Sequence, residues 1–204
     1  MFAVTLLMSS LAPLALGAPA SLLPCSTISG TPCRCPIGTD YSESVSTAII
    51  GATATDVGHL TNNFFNPVWA GIEPYSVQGP DNFPGLSIRD SNISTAVGVY
   101  GVSERLTFRF IFPDGSFEQR FEQRGTIPYY SGNGSFSGHW VTLKGDRIFE
   151  NQTLVRFSNY ACNTGHPIDF ATFHENALIN ATSILTASGV IGGISTEPIS
   201  AQAF

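Results

Sequence analysis

Alternation dominates the middle of the chain. In Tyr100 to Phe112 the even positions read Tyr100, Val102, Glu104, Leu106, Phe108, Phe110 and Phe112, while Ser103, Arg105, Thr107 and Arg109 take the odd ones. A strand places successive side chains on opposite faces, so this segment predicts a strand with one apolar face and a single carboxylate set into it. In Phe117 to Ile127 the odd positions Phe117, Gln119, Phe121, Gln123 and Ile127 face Glu118, Arg120, Glu122 and Arg124 in the same way, adding two amides to the inner side. Phe136 to Leu143 and Leu154 to Cys162 read as strands with weaker alternation, which leaves the orientation of His139, Trp140, Arg156 and Asn159 open. Turn chemistry at Gly79-Pro80-Asp81, Pro113-Asp114-Gly115 and Ser131 to Gly134 separates these strands.

Earlier in the chain, Val45 to Ile50 predicts an opening strand and Thr53 to Leu60 a short helix capped by Thr53, with Asp56 in its first turn. An aromatic turn, Phe64 to Trp69, carries a second helical piece. The longest helix is predicted over Ile168 to Ser188, stopping at Gly189. At about 100° per residue, Phe170, Ala177, Ala181, Ile184 and Leu185 form one stripe with Phe173 at its edge and His174 inside it. Thr172, Ile179 and Ser183 point away, and Asn180 falls at the border. Strand, two short helices, a run of antiparallel strands and one long amphipathic helix together predict an α+β fold: a curved antiparallel sheet of about six or seven strands gripping that helix. The space between such a sheet and its helix is where ligand cavities form.

Composition sharpens this picture. Only 12% of the 204 residues are charged and 43% are hydrophobic, with mean hydropathy +0.14; an average soluble domain is about 25% charged. Disorder is excluded, and a net charge of −6 without any basic cluster excludes a nucleic-acid partner. The apolar run Phe2 to Leu16 followed by Ala18-Pro19-Ala20 reads as a signal peptide cleaved after Ala20, not as a stable membrane anchor. The chain divides into a signal peptide (1–20), a cysteine-containing N-terminal arm (21–41), the main domain (42–189) and a C-terminal tail (190–204). Secretion makes the even set Cys25, Cys33, Cys35 and Cys162 a pair of disulfides. Cys33 and Cys35 are too close in sequence to pair with each other. Two connectivities remain, Cys25–Cys33 with Cys35–Cys162, or Cys25–Cys35 with Cys33–Cys162. No metal site is expected from them, since a second ligand pair is missing. Asn92, Asn133, Asn151 and Asn180 open four glycosylation sequons.

The residues Ser46 to Ala52 with Asp56-Val57, Phe65-Asn66-Pro67-Val68-Trp69, Gly79-Pro80-Asp81-Asn82, Val102-Ser103-Glu104-Arg105-Leu106, Ser137-Gly138-His139-Trp140 and the terminal helix, in that order, resemble the START-like, or helix-grip, superfamily of birch pollen allergens and aromatic polyketide cyclases. The likeness spans about residues 44–189. It implies a hydrophobic cavity and functions from lipid or hormone carriage to cyclisation of reactive intermediates. The cysteine-stapled, secreted form resembles small fungal proteins of natural-product pathways, some of which promote hetero-Diels–Alder couplings of quinone methides to terpenes.

No serine-hydrolase elbow, zinc-protease motif, phosphate loop or dinucleotide fingerprint is present, and no cofactor is expected. The candidate chemistry rests on Glu104 and His174. A carboxyl group in an apolar wall suits a general acid, although pairing with an arginine is the structural alternative; for His174 the alternative is a satisfied core histidine. Gln119 and Gln123 are candidates to hold a substrate oxygen, and Trp69, Tyr75, Phe108, Trp140 and Phe170 to form the ligand wall. The reading is a cyclase or pericyclase acting on a polyketide- or terpenoid-derived intermediate. Its alternatives are a carrier of a hydrophobic small molecule and a secreted interaction protein.

Overall fold

The computed structural model describes residues 22–204 except 28, 30, 96, 97, 130, 131 and the side chain of residue 139. The predicted signal peptide lies outside the described residues. The chain forms β1 (Asp40–Ile50), α1 (Ala54–Thr61), a 3-10 turn (Val68–Ala70), β2 (Pro74–Gln78), β3 (Ile88–Thr95), β4 (Gly98–Ile111), β5 (Phe117–Gln123), β6 (Ile127–Pro128), β7 (Ser135–Phe149), β8 (Gln152–Thr164), α2 (Phe170–Ala187) and β9 (Ile199–Ala203). The strands make one antiparallel sheet in the order β2-β3-β4-β5-β7-β8-β1-β9, with β6 beside β7. The fold is the expected α+β sheet with a long C-terminal helix. Its strands outnumber the expected six or seven because the two-residue β6 and the tail strand β9 join the sheet.

Local chemistry sets the helices. Thr53 caps α1, accepting from the Asp56 N–H at 3.1 Å and donating its hydroxyl to the Asp56 carboxylate at 2.6 Å. Asp169 caps α2 by accepting from the Thr172 N–H at 2.9 Å, and Gly189, in the left-handed region at φ 74°, ends it. The buried side of α2 carries Phe170, Ala171, His174, Ala177, Leu178, Ala181 and Leu185, close to the stripe the spacing predicts. Thr172, Ile179 and Ser183 are exposed as expected. The three alanines bring the helix close enough for Ser46 Oγ on β1 to donate to the Ala171 carbonyl at 3.1 Å. The core between sheet and helix is built on Phe64, Trp69, Phe117, Phe136, Phe157 and Leu178, each worth roughly 1.5–3 kcal/mol when fully buried.

After α2 the segment read as a tail turns back. The N–H groups of Gly192 and Gly193 both donate to the Gly51 carbonyl at 2.8 Å. A Cβ on Gly51 would stand 2.3 Å from the Gly193 oxygen, so only glycine permits this approach. β9 then pairs antiparallel with β1. At the other end the arm is closed by Cys25–Cys33 and tied to β8 by Cys35–Cys162, the first of the two possible connectivities.

Candidate functional site

β3 and β4 pair so that Arg89 stands opposite Glu104. Both point inward, and Arg89 Nε meets Glu104 Oε2 at 2.7 Å with each side chain almost wholly buried. A second guanidinium nitrogen donates to the Phe64 carbonyl at 2.8 Å. The planar cation lies 4.4 Å from the Phe64 ring centre and 4.7 Å from that of Phe121, an arrangement that suits a weakly hydrated guanidinium. Glu104 is therefore not an isolated carboxyl group in an apolar wall. Arg89 holds it.

His174 is buried on the inner face of α2, its ring stacked on Phe157 with centroids 3.7 Å apart. Gln119, buried on β5, donates from Nε2 to Asn62 Oδ1 at 3.2 Å. Arg89, Glu104, Gln119 and His174 meet around a chamber walled by Trp69, Phe121, Phe157, Phe170 and Phe173. Its free volume is about 20 Å³, and one water needs about 10–15 Å³. Beyond Phe173 lies a vestibule of about 550 Å³ between the β3–β4 hairpin, Tyr129, the loop entering α2 and the first turns of that helix. Phe173 lines both spaces. Tyr100, Tyr129 and His166 face the vestibule. Burial, with the neighbouring Tyr100 second, pushes the Tyr129 hydroxyl up to about 12.

Of the residues singled out in the sequence, Glu104, His174, Gln119, Trp69 and Phe170 thus come together. The other four do not. Tyr75 is 66% exposed at a register shift between Pro74 and Ser76. Phe108 is turned outward by the shift between Leu106 and Phe108, where Arg120 lies 5.1 Å from its ring; in exchange, Arg109 turns in to donate to the Asn62 carbonyl at 3.2 Å. Gln123 uses its carbonyl oxygen to accept from the Ser103 N–H at 3.2 Å, a structural bond. Trp140 faces the outer side of the sheet, stacked on Tyr160 at 4.8 Å. Arg156 is also on that side, Asn159 is buried, and the side chain of His139 lies outside the described residues. The candidate site residues did not include Arg89, Phe157 or Tyr129, nor Tyr100 and Phe121, which stand on the predicted inner strand faces. The four sequon asparagines are exposed, and Asn180 also donates to the Trp69 carbonyl at 2.9 Å. The four cysteines are all disulfide-bonded, so none is open to a metal.

Residues 41–202 match the family described as START domain. The chain belongs to the START-domain family. START-like domains bind hydrophobic ligands, and in this member the chamber and vestibule occupy the space between sheet and helix. The START domain here is similar in structure to an uncharacterised protein from Rhizobium leguminosarum, at TM-score 0.50 and 13% identity over 73% of this chain and 97% of that one. It is also similar to a norcoclaurine synthase point mutant from Thalictrum flavum in complex with a transition-state analogue (0.48, 13%, 76% and 99%) and to an aromatase/cyclase from a Streptomyces species (0.45, 13%, 75% and 93%). At this identity such likeness bears on the fold alone. No curated protein matches the chain significantly. Among the described residues no helix is long and apolar enough to cross a membrane; this and the two disulfides are compatible with a secreted protein.

Proposed function

We propose that this START domain is a secreted, cofactor-independent cyclase that takes a hydrophobic polyketide- or terpenoid-derived intermediate, with hetero-Diels–Alder coupling as its reaction type. The observation that carries the reading is Phe173, one apolar side chain between an open vestibule and a chamber whose polar groups are few, fixed and inward. Phe173 lines both spaces, and in this reading its rotation joins them. The aromatic walls then hold the reacting ends in a near-attack geometry, and positioning alone supplies about 7–11 kcal/mol of a barrier. His174 and Glu104 are the groups placed to take up or give a proton as water is lost, with Arg89 fixing the carboxylate, and Gln119 holds the substrate oxygen. Glycans at Asn92, Asn133, Asn151 and Asn180 hydrate a surface poor in charge.

Carriage without turnover is the second reading, favoured by the pairing of Glu104 with Arg89. The two are separated by incubating the purified protein with a quinone methide precursor and a polyene partner and resolving the product stereoisomers. Catalysis yields one stereoisomer at a rate proportional to protein, and His174→Ala lowers kcat by roughly 10²–10⁴ if proton transfer limits the reaction. Blocking the passage with Phe173→Trp lowers kcat/KM while the fold persists. Saturable binding with an uncatalysed product mixture assigns the protein to carriage, and absence of both removes the ligand-binding reading of this cavity.

A further inference from the structure

A second roomy space lies outside the grip of the helix. On the opposite face of the sheet, β5, β7, β8 and β1 form a groove of about 590 Å³, within the range of roughly 300–1,000 Å³ typical of small-molecule sites. The arm at Ser29 and Thr31 and the end of β9 border it. The arm is fastened there by Cys35–Cys162 and by the Tyr160 hydroxyl, which lies 3.0 Å from the Ser26 carbonyl and 3.3 Å from that of Ser29.

The groove is chemically polar along its length. At one end Trp140 and Tyr160 are in register and stack at an interplanar angle of 14°. At the other end Lys144 stands opposite Arg156, with Arg120 on the neighbouring strand. Three of the chain's nine basic residues thus line one groove of a protein with net charge −6. Like charges directly opposite on paired strands destabilise a sheet. Glu118 answers Arg120 at 2.5 Å and Asp146 answers Lys144 at 2.8 Å, while Arg156 makes no ion pair among the described residues. Glu43 stands in register with Tyr160 at the aromatic end, where its carboxylate accepts from the Tyr41 hydroxyl, so an acidic group is repelled from that end and drawn to the other. Tyr160 stands four residue steps along the strand from Arg156, about 13 Å.

We propose that this outer groove is a second ligand site, which takes an amphipathic organic anion with its flat apolar body against Trp140, backed by the buried Tyr160, and its acidic group bridging Lys144 and Arg156. The bridge relieves the repulsion between the two cations. This site is separate from the chamber under α2 and does not depend on the proposed cyclase activity.

The chain has two tryptophans, one in each site, which makes the assignment measurable. In a Trp69→Phe variant only Trp140 reports. Titration with anilinonaphthalene sulfonate quenches its emission saturably, added salt weakens the binding, and Arg156→Gln in the same background lowers the affinity about tenfold without lowering the urea midpoint. Neutral anilinonaphthalene binds at least about tenfold more weakly. In Trp140→Phe the remaining Trp69 emission is unchanged at the same probe concentrations. Equal binding of the charged and neutral probes, an unchanged affinity in Arg156→Gln, or quenching of Trp69 in place of Trp140 overturns the proposal.

Discussion

At the scale of single residues the Arg89–Glu104 pair decides what the chamber is. Two charges removed from water are tolerated because each is satisfied: the guanidinium by a carboxylate, a carbonyl and two aromatic faces, the carboxylate by the guanidinium. Removing one partner leaves the other charge buried and alone, which costs about 3–5 kcal/mol, whereas replacing both with apolar side chains of similar size is close to neutral. Arg89→Met and Glu104→Leu are therefore each expected to lower stability by about that amount, and the double variant to recover most of it, measured as urea unfolding free energies in a double-mutant cycle. Single variants that each lose under about 1 kcal/mol would show that water reaches the pair and that the chamber is wetter than its walls imply. The partnership was invisible in the sequence for a physical reason. The inward positions of β3 are Arg89, Ser91 and Ile93, preceded by the buried Ser87, so hydrophobic alternation marks no face there, and the carboxylate read from β4 had no visible counterion.

At the scale of elements, regular geometry was legible and its interruptions were not. The stripe of α2 follows from 3.6 residues per turn, a local property, and Thr53 and Gly189 mark helix ends through contacts a few residues away. Strand faces were read correctly only as far as the first bulge: beyond Leu106 the even positions of β4 turn outward, and Tyr75 and Trp140 lie at the register shifts of β2 and β7. One inserted residue reverses every side chain after it. β9 escaped notice because its place depends on the long-range approach of Gly193 to Gly51. The arm shows how far such long-range ties matter. Cys35–Cys162 closes a separation of 127 residues and Cys25–Cys33 one of 8. Chain-entropy reasoning assigns about 5 kcal/mol to the first and about half that to the second. Calorimetry of the paired Cys→Ser variants is expected to show a Tm drop of about 10–20 °C for the long closure and about 5–10 °C for the short one. Equal drops would mean that the short loop supports the arm through contacts beyond its own closure.

At the scale of the molecule, buried phenols tie the arm, the groove and the vestibule to one alkaline limit. Burial raises the hydroxyl of Tyr160 to about 12 and that of Tyr129 to about 12. It also raises Tyr41, whose hydroxyl bonds to Glu43 and whose ring stacks on Tyr160 at 6.1 Å. Tyr160 holds the arm from the outer face and Tyr129 borders the vestibule on the inner one, so the two readouts sit on opposite sides of the sheet. An unfolded tyrosine ionises near 10. The folded state therefore keeps its protons longer than the unfolded state does, and the stability these groups contribute is fully present below about pH 10 and is lost as the pH climbs through about 12. The urea midpoint is expected to stay level up to about pH 10 and then to fall, together with the appearance of phenolate absorbance from Tyr129 and Tyr160. General repulsion in an increasingly anionic chain produces a decline of its own, so the informative comparison is with Tyr129→Phe/Tyr160→Phe. That variant begins from a lower midpoint, having lost the hydroxyl contacts to the arm and to Asn163, but it loses less between about pH 10 and 12 because two of the ionisations are gone. Parallel decline in both proteins would place the alkaline limit in overall charge and detach it from these hydroxyls.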